Sequence, residues 1–337
     1  STGGNIVTTN DNIQFDGAID LTGNVTLDSG AGIGNITLNS GVTETPVTTL
    51  TLAAAAGNIL LNPVTVSTLT FTTGTDLSLN GAVSVDTPFD TTNLLGTITI
   101  AAVSSVTTTA DNIIITRPVV LDANLSLDTG AGADISFANT GTIDDGAGGP
   151  WNLTVDAPGS VISFGAASGA GNGRIGGAAG ANRIGTLTVT DAGTVNFNGE
   201  VFTTVLTQTA GSVITTSNQA VNISGNISIS GTAVTINNGV TTTAGGTVTI
   251  TNTGALTIAA TGDMSLDGLF LQTGGGAVST GGNIVTSGDT IDFTNALTLT
   301  ESVLLDTGAG ADISFANTAT IDDGAGGPWN LTVDAPG

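Results

Sequence analysis

One stretch of this chain occurs twice. Residues 128–159 read DTGAGADISFANTGTIDDGAGGPWNLTVDAPG, and residues 306–337 repeat them with a single change, Gly141 to Ala319. Agreement that close within one chain marks a duplicated structural unit, and such repeats constrain the fold more than length does. The match runs upstream without a gap, since Asp111, Ile113, Leu121, Leu125 and Leu127 correspond to Asp289, Ile291, Leu299, Val303 and Leu305. A weaker third copy opens the chain: Asp11, Ile13, Leu21, Val25, Leu27 and Asp28 correspond to Asp289, Ile291, Leu299, Val303, Leu305 and Asp306. The octapeptide STGGNIVT starts at both Ser1 and Ser279. The copies occupy residues 11–40, 111–159 and 289–337 of one continuous segment, residues 1–337, whose repeat unit of residues 1–278 restarts at 279.

Repeat proteins normally close with atypical caps that carry a polar outer face. Both ends here are ordinary repeat sequence. The expectation is either a piece of a longer repetitive parent chain or a subunit that continues head to tail into its neighbour.

Between the turns the chain alternates apolar residues with Thr or Ser, as in Val25-Thr26-Leu27, Ile36-Thr37-Leu38, Leu77-Ser78-Leu79, Ile98-Thr99-Ile100, Ile135-Ser136-Phe137 and Leu256-Thr257-Ile258. That period of two sends apolar side chains to one face and hydroxyls to the other. Gly, Asn or Asp punctuates nearly every strand, no helical period is visible, and the β-branched content favours sheet. The chain therefore reads as all-β. A sandwich or closed barrel has a finite core, whereas a solenoid adds like coils without limit and alone accounts for long near-identical repeats. The fold expected is a parallel β-helix (β-solenoid) with roughly three strands per coil and no helices. A coil of about 20 to 28 residues gives roughly 12 to 17 coils stacked at about 4.8 Å. Ile135, Phe137, Leu153 and Val155, with their twins Ile313, Phe315, Leu331 and Val333, should point inward, and Asn at turns should form amide ladders.

Composition narrows function by exclusion. The chain has 50 Gly, three Arg, no Lys, no His, no Cys, and 9% charged residues, where about 25% is usual. Its net charge of -24 comes from Asp and Glu outnumbering basic residues 27 to 3. Such a surface repels nucleic acid and anionic lipid and attracts cations. No apolar run approaches the roughly 18 residues needed to cross a bilayer, so neither nucleic acid nor membrane insertion is expected. Glycan-cleaving β-helices work with clustered Asp plus Lys, Arg or His, and here the nearest Asp pairs, Asp144-Asp145 and Asp322-Asp323, sit in Gly-rich turns. No enzyme is expected.

Four features are candidates for something beyond packing. GAGAD at 130–134 and 308–312, with DDGAGG at 144–149 and 322–327, resembles a calcium-binding nonapeptide in part, because Gly130, Gly132 and Asp134 fall in place but Ser136 holds its apolar position. Asp128, Asp134, Asp144 and Asp145, and likewise Asp306, Asp312, Asp322 and Asp323, are then either calcium ligands or plain turn residues. Trp151 and Trp329 are either corner packing or a sugar platform. Seven Asn-x-Thr/Ser sequons, at Asn24, Asn35, Asn124, Asn152, Asn222, Asn226 and Asn330, follow from strands that start after an Asn turn, or mark glycan sites. Residues 165–185, GAASGAGNGRIGGAAGANRIG, form either a flexible excursion from one corner or a lateral contact loop in which Arg174 and Arg183 meet the acidic turns of a neighbouring rod.

With ISFANTGTID, WNLTVDAPGSVISFGAA, IGTLTVTDAGTVNFNGEV and the DTGAG turn, the chain resembles the giant β-strand-repeat exoproteins of bacteria, the surface proteins related to filamentous haemagglutinin and to S-layer-like adhesins. The resemblance implies a secreted, right-handed parallel β-helix at the cell surface, serving as the shaft of a filament, fibre or surface layer. Its partners would be copies of itself, neighbouring filaments or a cell surface. The alternative is an adhesin stalk whose loops, or a head elsewhere, bind a cell or glycan.

Overall fold

In a computed structural model, the structure describes residues 1–138, 140–165, 173–177, 182–209, 214–316 and 319–336. Most strands span only three to five residues, because an apolar–hydroxyl–apolar triad is followed at once by Gly, Asn or Asp. Every strand pairing is parallel. Each short strand bonds to the strand three before it and three after it, so the chain winds as a triangular solenoid of about 14 turns. Among the described residues there is no helix.

The first face begins Ile13–Phe15, Ile36–Leu38, Ile59–Leu61, Leu77–Leu79, and runs through Ile143–Asp145 to Leu331–Asp334. The second begins Ile19–Leu21, Val42–Glu44 and passes through Leu125–Asp128 to Ile313–Phe315. The third begins Ile6–Val7, Val25–Asp28 and passes through Ile113–Ile115 and Ile135–Phe137 to Ile321–Asp323. Three long strands, Leu153–Phe164, Ile184–Phe197 and Val201–Gln208, bend round a corner and serve two faces each.

Parallel stacking places like positions above one another, so the interior is a set of columns. Ile36, Ile59, Leu77, Ile98, Val119 and Ile143 form one such column and are all buried. Phe137, Phe164 and Phe197 stack with ring centroids 5.1 and 5.4 Å apart. Phe270, Phe293 and Phe315 make a second column on the second face. Full burial of side chains this size stabilises by about 1.5–3 kcal/mol each. The expected inward set holds for Ile135, Phe137, Leu153 and Val155, with Ser136 and Thr154 outside.

Two features depart from the expected pattern. Coil length varies more than anticipated, from 18 residues between Asn58 and Asp76 to 34 between Asn152 and Thr186. The Gly-rich stretch 165–185 is also not wholly outside the coil. Ile175, one of the stretch's two isoleucines, is fully buried and bridges Ile143 below to Val201 above, supplying the first face with a rung. Residues 166–172 and 178–181 of that stretch lie outside the described residues.

Candidate functional site

The duplicated acidic turn lies where the first face meets the second. Alternation along Ile143–Asp145 turns Asp144 outward and Asp145 inward. Asp145 Oδ1 accepts the Trp151 N–H at 2.8 Å, closing the turn GAGGPW beneath the indole. A Cβ on Gly149 would come within 2.1 Å of the Asp145 carboxylate, so the curled side chain requires glycine there. Asp122 clamps the other limb, since its Oδ1 accepts the Ala147 N–H at 2.8 Å. Burial pushes the Asp145 carboxyl above the ordinary carboxylate range, the Trp151 hydrogen bond opposes this, and the nearby Asp122 charge adds to it. Trp151 is half-buried against the core and donates its Nε1–H to the Ala147 carbonyl at 3.3 Å.

The twin turn repeats this plan with looser support. Asp323 Oδ1 accepts the Trp329 N–H at 3.1 Å, and a Cβ on Gly327 would again meet the carboxylate at 2.1 Å. Thr300 stands where the first copy has Asp122. Asp322 accepts the Thr320 hydroxyl at 3.0 Å.

Three of the four remaining candidate calcium ligands also hold backbone through their carboxylates. Asp128 and Asp306 accept the N–H of Gly130 and Gly308, each at 2.8 Å, in turns whose glycines adopt positive φ. Asp134 accepts the Val161 N–H one coil on at 2.8 Å. Asp312 is exposed, and its carbonyl accepts the Ile291 N–H. Among the described residues no three carboxylates converge at metal-binding distance.

Both arginines of the 165–185 stretch are engaged within their own rod. Arg174 Nη2 meets Asp144 Oδ1 at 2.7 Å, one rung below. Arg183 donates to the carbonyls of Thr203 and Asn222 and, at 2.8 Å, to Asn222 Oδ1, with its guanidinium 5.9 Å from the Phe202 ring centre. Burial lowers its pKa from the usual value.

Two arrangements are absent from the sequence reading. The first is a staple. Asn12, Asn35, Asn58 and Asp76 each accept, through Oδ1, the N–H of the residue one coil on, namely Asn35, Asn58, Asp76 and Thr97. The sequon residues Asn24, Asn124, Asn152 and Asn226 do the same for Thr49, Asn152, Thr186 and Thr247, which gives those asparagines a structural task. The expected amide ladder is present as Asn198, Asn218 and Asn237, linked side chain to side chain at 2.8 and 2.9 Å.

The second is a stack of like charges. Asp128 and Asp156 are register partners on successive rungs, as are Asp306 and Asp334. Burial, then the charges of Asp128 and Asp191, push the Asp156 carboxyl above its ordinary range, and its Oδ1 is buried without a partner. The constant register of a solenoid is the signal that would have paired these residues.

No family model, curated protein or solved structure matches the chain.

Proposed function

We propose that this chain is structural: the β-solenoid shaft of an extracellular filament, surface fibre or surface layer, extended by further coils of the same kind. One observation carries this reading. Many of the side chains that could do chemistry are committed to backbone: Asp122, Asp134 and Arg183 to that of another coil, and Asp128 and Asp145 to that of their own turns. The resemblance to bacterial repeat exoproteins supports the same reading and suggests a secreted protein whose partners are its own copies and neighbouring rods. A coil edge offers a full row of unpaired N–H and C=O groups, the template on which another coil adds.

Cryo-electron microscopy of the native material tests it. A continuous rod with an axial layer spacing of about 4.8 Å supports the shaft. A short stalk ending in a distinct globular tip rejects it in favour of an adhesin.

A further inference from the structure

Asparagine followed by glycine is chemically labile, because glycine has no Cβ to keep its amide nitrogen away from the preceding side chain. Three such pairs lie wholly among the described residues: Asn80-Gly81, Asn198-Gly199 and Asn238-Gly239. All three sit at corners of the solenoid, yet their side chains are held differently. Asn198 is 7% exposed and both ends of its amide are taken, since Nδ2 donates to the Gly165 carbonyl and Oδ1 accepts from Asn218, each at 2.8 Å. Asn80 Oδ1 accepts the hydroxyl of Ser78, on the strand before it, at 3.4 Å. At Asn238 the side chain curls back on its own backbone instead, and its Oδ1 accepts the Gly239 N–H at 2.8 Å.

The bonds around that pair leave its nitrogen available. The Gly239 carbonyl accepts the Val221 N–H from the coil before, and the Val240 N–H donates to the Asp263 carbonyl in the coil after, while the Gly239 N–H is spent on the Asn238 side chain. Ring closure through this nitrogen therefore takes no ladder bond from the rod. Both residues are partly exposed, so water reaches them. We propose that Asn238 is a site of self-modification, at which the fold directs deamidation through a cyclic imide. Hydroxide removes the Gly239 N–H proton and leaves a nitrogen that already lies against Cγ, as a near-attack arrangement requires. The N–Cγ bond forms and the Cγ–Nδ2 bond breaks. Nδ2 takes a proton from water and departs as ammonia, which restores the hydroxide. A second water opens the imide. Adding at Cγ it gives aspartate, and adding at the main-chain carbonyl carbon it gives isoaspartate, in which the chain runs through Cβ and Cγ. Either product adds a negative charge at the corner between Ala233–Ile236 and Val240–Thr242, and the second lengthens that corner by one methylene. The rod thus ages at a fixed place without an enzyme, whether it serves as shaft or stalk.

The test incubates the full chain in mildly alkaline buffer, folded or in urea, and follows each Asn-Gly pair by peptide mass spectrometry with fragmentation that separates aspartate from isoaspartate. In the folded chain Asn238 should convert faster than Asn80, and about tenfold faster or more than Asn198, whose reaction must first give up two hydrogen bonds. In urea that order should disappear. Gly239→Ala should slow conversion at Asn238 with an unchanged circular dichroism spectrum, because the added Cβ would meet the Asp263 carbonyl at 3.6 Å, an ordinary contact. Conversion of Asn80 or Asn198 as fast as Asn238 in the folded chain overturns the inference. So does the same order in urea, or a product at Asn238 that is aspartate without isoaspartate, and the last two hold even if the variant fails to fold.

Discussion

The two copies of the 32-residue segment have almost the same sequence and very different environments. In the first, coils lie on both sides, and Ile143 and Val155 are 1% and 0% exposed. The second forms the last rungs of the structure, where the equivalent Ile321 and Val333 are 43% and 51% exposed. Register is the same in both, with Leu153 and Val155 on Leu125 and Leu127, and Leu331 and Val333 on Val303 and Leu305. A strand's direction is thus written in its own residues, while its burial is supplied by neighbours, as expected when stability is a sum of intrinsic and interface contributions along one dimension.

That contrast can be broken most forcefully in the aromatic columns. Phe137→Ala should cost about 3–5 kcal/mol, the range for removing a fully buried ring, and Phe315→Ala less than half as much. Urea unfolding, followed by hydrogen exchange of the flanking amides, separates the two. Equal losses would show that a rung's stability is local after all.

The turn clamp should show a smaller difference. Asp145→Ala leaves the Trp151 N–H without its acceptor, a loss of about 1–3 kcal/mol, while Asp323→Ala, in an exposed turn without the second carboxylate clamp, should fall below about 1 kcal/mol. Trp fluorescence in a thermal melt, with the other indole replaced by Phe, reads each turn separately.

The charge stack sharpens the comparison through pH. Because the folded pKa of Asp156 is raised, the native state binds its proton more tightly than the unfolded chain does. This carboxylate therefore weakens the fold above the raised pKa, and the penalty fades as pH falls through that value towards the ordinary one. Asp156→Asn should raise Tm at pH 7, and the gain should vanish near pH 3.5, at or below the ordinary carboxylate value. Asp334→Asn should change little at either pH, and a similar gain there would remove burial as the cause. Chelation should have the least effect, because Asp128, Asp134, Asp145, Asp306 and Asp323 already accept backbone N–H groups. A clear drop in Tm with EDTA would instead mean that calcium bridges the turns.

The fold was legible because its determinants are local. Ile135-Ser136-Phe137 states its own inside and outside by alternation, and Gly130 marks its own turn. The inward course of Asp145 was not legible, since an Asp ahead of Gly reads as turn chemistry until the strand before it is phased. The Asp128–Asp156 stack needs the local coil length, which irregular turns conceal. Ile175 was hidden for the opposite reason, an isolated isoleucine between glycines that becomes a rung only because Ile143 and Val201 flank it in space. That Ile135–Phe137 lies on the third face and its copy Ile313–Phe315 on the second depends on the entire path of the chain and on no residue within them.

The Asn and Asp staples bear on how such a rod fails under load. Tension along the axis pulls rungs apart edge on, so the bonds between two coils open in succession and do not share the force. A peel must start somewhere, and the corners, where chain leaves one sheet before entering the next, have the fewest backbone bonds. Asn35, Asn58 and Asp76 sit at such a corner and tie each coil to the next at the point where separation would begin. The resistance of the rod to pulling should thus depend less on the many ladder bonds of its faces than on lines of side-chain oxygens at its corners, Asn12 to Asp76 along one and Asn124, Asn152 and Asn226 along another.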